Sequence, residues 1–181
     1  VDIYLAECIG PYHTAAGAQF DTFTTKKDVS PQPLPVILGG KMRAGTKLYI
    51  RAGGHYSSLT GASLTLGFWF GTRGGTITGD IAIGGAFTTG TTPAAWPWWM
   101  EWEGVCTGVG TAGTLVGQGQ QQFGSSLTAF NAEVPIPVTA ALRTVTIDTT
   151  IERAIGVSAT YGASSASNLV VVNHLRVMVW N

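Results

Sequence analysis

Charge is what this chain has least of. Of 181 residues, 10 are Lys or Arg and 10 are Asp or Glu, so the formal net charge is zero. The basic residues stand singly apart from Lys26-Lys27. Nucleic acid is held by several cationic contacts to phosphate, so no nucleic-acid partner is expected. Cysteine is scarce too. Cys8 and Cys106 lie far apart and match no metal spacing. Two free, buried thiols are expected, with a disulfide as the open alternative. His13, His55 and His174 are isolated from one another and from any Cys or carboxylate pair, so no metal site is expected. No apolar run approaches the ~20 residues that cross a bilayer, and no membrane partner is expected. The first residues lack a basic leader region, which fits assembly in the cytoplasm. Nothing long carries a helical period.

Glycine is abundant, at 25 residues, and apolar residues make up 45% of the chain. Such a composition is the opposite of the disorder signature, and the length suits one domain with a sizeable core. A surface with only 11% charged residues to draw on is poor protection for a solitary monomer. Cover by partner subunits is therefore expected.

Residues 1–40 carry a short alternating strand at the start, a loop, and then Ser30-Pro-Gln-Pro-Leu-Pro35. Three closely spaced prolines cannot all sit inside a sheet, so an extended arm is expected over residues 1–40, with a self-sufficient domain over residues 41–181. On this reading Phe20, Phe23, Leu34 and Ile37 anchor the arm on a partner, while a first strand and surface loop of the same domain is the alternative. From Lys41 onward, short alternating strands recur between Gly-rich turns. Leu64, Leu66, Phe68 and Phe70 share one face of a strand, and Thr65, Gly67 and Trp69 share the other. Residues 124–141, with Pro135 and Pro137, read as a long crossover. The last strand, Leu169 to Trp180, is apolar on both faces apart from Asn173, His174 and Arg176, so it is expected to be central or to lie in an interface. The expected fold is all-β: a jelly-roll β-sandwich of two antiparallel sheets with an extended N-terminal arm.

Six tryptophans are present, and four cluster in Trp96-Pro-Trp-Trp-Met-Glu-Trp102. Alternation places Trp98, Met100, Trp102 and Cys106 on one face and Trp99, Glu101, Glu103 and Val105 on the other. Trp98 and Trp102 are assigned to the core, and Trp99 is left outside as a possible partner contact. Glu101 and Glu103 point the same way, roughly 6.5–7 Å apart, near the range of paired glycosidase carboxylates. No supporting third carboxylate lies in the strand, so a solvated strand face is the expected reading. Gly108-Val-Gly-Thr-Ala-Gly113 spells a dinucleotide motif but lies between strands, with no helix to give it meaning. No nucleophile elbow occurs. No catalytic residue and no cofactor are expected.

Thr146-Ile-Asp-Thr-Thr150, a short strand, Tyr161-Gly-Ala-Ser-Ser-Ala-Ser-Asn168 and a closing Leu/Val strand resemble the C-terminal part of jelly-roll structural proteins of tailed-phage virions. The Trp-rich run and Gly108-Val-Gly-Thr-Ala-Gly-Thr114 stand earlier in the matching order. Tyr161-Gly162 departs from the Trp-Ser common at that place in the family. The resemblance covers roughly the second half of the chain. It implies a virion component that is not an enzyme: a capsid decoration protein bound to the major capsid protein, commonly as a homotrimer. The alternative is a tail or fibre knob that binds host glycans, and a glycoside hydrolase is the remote third reading.

Overall fold

The computed structural model describes residues 3–9, 24–89, 91–131 and 133–180. Its strands are β1 (Ile3–Ile9), β2 (Lys27–Asp28), β3 (Val36–Ile37), β4 (Lys47–Ser57), β5 (Ser63–Gly71), β6 (Ile77–Ile83), β7 (Phe87–Thr88), β8 (Trp96–Gly108), β9 (Gly113–Phe123), β10 (Val134–Ile136), β11 (Thr144–Ile147), β12 (Arg153–Tyr161) and β13 (Leu169–Trp180). A 3₁₀ turn, Ala140–Arg143, precedes β11. One sheet runs β1-β13-β4-β8-β9-β10, with β11 also on β9. The other runs β2-β12-β5-β6, with β3 on β12 and β7 on β5. All pairings are antiparallel. Taking β2 and β3 as one edge, the orders β1-β13-β4-β8 and β2-β12-β5-β6 are those of a jelly roll. Strands β9, β10 and β11 widen its first sheet.

The core lies between the sheets, as period-2 alternation requires. Leu48, Ile50, Trp98, Met100, Trp102, Leu175 and Val177 face Leu64, Leu66, Phe68, Ile155 and Val157, all buried. Trp98 and Trp102 are inside, as expected, and the buried Cys106 is free. Trp102 needs an unusually flat bed. A Cβ added at Gly104 or Gly117 would stand 2.1 and 2.3 Å from its indole ring, so only glycine fits at these paired positions. β13 is central, between β1 and β4. Val170, Val171 and Val172 are buried in succession, so both faces are covered there, whereas Asn173, His174 and Arg176 are exposed farther along.

The expected arm needs correction. The proline run bends at Gln32 and Pro33, and the described part lies on the chain's own sheet, as the alternative of a first strand and surface loop of the same domain had it. β1 pairs with β13 over seven residues, and β2 and β3 pair with β12. The intervening prolines cannot donate to a ladder, and the segment supplies partners another way. The Val157 N–H donates to the Ser30 hydroxyl at 2.7 Å. The Ile155 N–H donates to the Pro35 carbonyl at 2.9 Å. Leu34 and Ile37 are buried. Leu34 packs with Trp69 and Ala154 in a small second core on the outside of the six-stranded sheet. Trp69, on the outward side of β5, is thereby fully covered, and its indole N–H donates to Asp28 at 3.2 Å. The Ser30 backbone N–H and hydroxyl donate to the same carboxylate oxygen. Burial pushes the Asp28 carboxyl above its ordinary value, against the opposing pull of the Ser30 and Trp69 bonds. The crossover also holds more than expected, because residues 134–136 form an edge strand on β9 despite Pro135.

Candidate functional site: the outer face of the seven-stranded sheet

The outward positions of β4, β8 and β9 lie side by side. Register sets Tyr49 opposite Glu103, and Arg51 opposite Glu101. Across the next pairing, Trp99 faces Gln122, Glu101 faces Gln120, and Glu103 faces Gln118. The result is a patch of carboxylates and amides with one tryptophan at its end. Antiparallel neighbours of this kind are close enough for their side chains to interact.

Glu101 is the fixed point. The Tyr49 hydroxyl donates to one carboxylate oxygen at 2.8 Å, and the Gln120 amide donates to the other at 3.0 Å. Burial, followed by the bond to Glu101 and its negative charge, raises the Tyr49 phenol above its ordinary value. Trp99 is half-buried and held from two sides. Its indole N–H donates to the Gln122 amide oxygen at 2.9 Å, and the Arg51 guanidinium lies 5.8 Å from its ring centroid, within cation–π range.

A groove of about 580 Å³ opens over this face. Its floor includes Glu101, Glu103, Gln118 and Gln120, and its far wall is Pro135, Pro137 and Arg143. A second groove, of about 480 Å³, lies between β6 and β11 and is lined in part by Asp80, Asp148 and Arg153. Its charges are paired within the chain. Lys26 meets Asp80, and Arg153 lies 3.9 Å from Asp148. Among the described residues, no group of three or more His, Cys, Asp or Glu side chains could hold a metal ion.

Of the residues singled out from sequence, Trp99 stands at this face, Ile37 is buried in the main core and Leu34 in the small outer core with Trp69. Phe20 and Phe23 lie outside the described residues. The alternation of β8 predicted the carboxylate side. It did not predict Tyr49, Gln120 or Arg143, whose positions depend on cross-strand register. The one available signal was the alternating Gln118, Gln120 and Gln122 of β9.

No protein-family model matches the sequence, and no curated protein matches it. Among solved structures, the chain is similar to lectin I-B4 from Griffonia simplicifolia in its metal-free form, at 9% identity and a TM-score of 0.39, covering 99% of this chain and 93% of that one. A chain of the T13 IBDV viral particle is similar at 11% identity and a TM-score of 0.24, covering 99% of this chain and 39% of that one. The fold class rests on the strand order above and not on either likeness.

Proposed function

We propose that this chain is a structural, non-enzymatic virion protein that decorates the phage head, bound to the major capsid protein and assembled as a homotrimer. The observation that carries this reading is an apolar end on a charge-poor jelly roll. Three loops at one end of the sandwich are bonded together: the Gly40 N–H donates to the Thr149 carbonyl at 2.8 Å, and the Thr149 N–H to the Gly110 carbonyl at 3.0 Å. Each loop carries an exposed apolar residue, namely Leu38, Ile151 and Val109. Large apolar side chains grouped at a surface mark contact sites. Even ~800 Å² buried per copy, repeated by symmetry, adds up to a strong brace on a shell. The resemblance of the second half of the chain to virion jelly rolls supports the same reading.

An antibody to this chain, applied to intact particles, tests the location. Label spread over the head is expected. Label confined to the tail tip would replace decoration with the fibre-knob reading. Val109→Asp with Ile151→Asp tests the attachment surface: an unchanged melt with lost binding to undecorated heads is expected.

A further inference from the structure

The groove over Glu101 plays no part in attachment through the end loops, yet its chemistry is specific. Its volume lies within the range of small-molecule sites. The Glu101 carboxylate is already fixed by one hydrogen bond to each oxygen, from Tyr49 and from Gln120. A carboxylate can accept about four bonds, so each oxygen has capacity left for a donor arriving from the groove. Gln118 and Gln120 offer amides that both donate and accept. The wall adds the C–H surfaces of Pro135 and Pro137.

An occupant must therefore bring hydroxyl donors along one edge and an apolar C–H face on another. Its charge is constrained as well. Glu101, Glu103 and Arg143 line the groove, and Arg51 stands opposite Glu101 on the same face, so the patch is charge-balanced and offers an ion of either sign no net attraction. A metal ion is disfavoured by the lack of a three-ligand cluster among the described residues. An uncharged pyranose saccharide meets every one of these requirements. We propose that this groove binds such a saccharide, with sugar hydroxyls donating to Glu101 and a neighbouring sugar ring reaching Trp99, which stands one outward register pair beyond the groove lining. The site is a property of the isolated chain and holds wherever in a particle the chain sits.

The test uses the purified full chain titrated with lactose, maltotriose, cellotriose and N,N′,N″-triacetylchitotriose, with sialyllactose as the charged comparison. Binding is read by calorimetry and by tryptophan fluorescence. At least one uncharged probe is expected to bind with a dissociation constant of about 1 mM or tighter. Glu101→Gln should weaken it about tenfold or more, as loss of a charge-assisted acceptor implies. Trp99→Phe should remove most of the fluorescence change, and Gln118→Ala should weaken binding with an unchanged melt. Silence with every uncharged probe overturns the proposal. So does binding that Glu101→Gln and Gln118→Ala both leave intact, or a preference for sialyllactose. If Glu101→Gln instead dissociates an oligomer in sedimentation, the face is a contact between copies and the proposal falls. Particle labelling can succeed or fail independently of all these results.

Discussion

Two tryptophans occupy equivalent positions in the two sheets. Trp69 and Trp99 both point outward from strands whose inward side chains build the core. Trp69 is fully buried and Trp99 is not. The difference lies in the far-off segment that crosses the first and spares the second. On the six-stranded sheet, Leu34 and Val36 of the edge segment pack against Trp69 and Ala154 on the outer side, while Val29 and Ile37 of the same segment reach the main core. The seven-stranded sheet leaves its outer face to Glu101, Gln120 and solvent. A period-2 pattern reports which face a side chain is on. It does not report what later comes to lie over that face.

The harshest way to break this comparison is to remove the cover. Deleting residues 1–35 takes away β1, β2 and the buried Val29 and Leu34. Each large buried side chain contributes roughly 1.5–3 kcal/mol, against a total stability of ~5–15 kcal/mol for a typical domain. Loss of the cooperative melt is expected, contrary to what a detachable arm would allow. A truncated chain that still melts cooperatively would restore the arm.

Next comes the paired substitution. Trp69→Ala should cost about 3–5 kcal/mol in denaturant unfolding, and Trp99→Ala under about 1 kcal/mol. Equal costs would mean that the outer faces do not differ as described.

A milder change sharpens the contrast through pH. Burial holds the Asp28 carboxyl above its ordinary 3.8, so the folded chain keeps a proton that the unfolded chain releases. Its contribution to stability is therefore greatest at low pH and declines as pH rises through 3.8 towards the raised value. Asp28→Asn keeps an acceptor for Ser30 and Trp69 but cannot ionise. Melting temperatures of parent and variant, compared across that range, should diverge in the variant's favour as pH rises. A constant gap would show that Asp28 is not buried by the segment.

The smallest effect belongs to the open face. Glu101→Gln should change stability by no more than about 0.5 kcal/mol, measured by the same denaturant midpoints.

How much of this was legible in the sequence depended on whether the deciding contact was local. The β8 register was legible, because Trp98, Met100 and Trp102 face one core and alternate strictly with Trp99, Glu101 and Glu103. The jelly roll was legible from short strands spaced by glycine. The placement of residues 24–40 was not. Prolines argue against a strand, and the rescue of the β12 donors by the Ser30 hydroxyl and the Pro35 carbonyl depends on residues more than a hundred positions away. The same holds for Gly104 and Gly117. They read as weak points in strands until the Trp102 ring is seen lying across them. At the candidate site, the two glutamates were visible by spacing, but Tyr49 and Gln120 required the pairing of three strands.

The proline-bearing segment has one more consequence. It is the outermost element on its side of the six-stranded sheet, where a regular strand would present a row of free backbone donors to any other chain. Here the row is interrupted: the paired stretches β2 and β3 are two residues each, and Pro31, Pro33 and Pro35 between them have no N–H to offer. A further strand has no continuous ladder to join. The sheet is thus self-terminating at this border. At this border a second chain meets side chains and proline rings in place of a row of backbone donors.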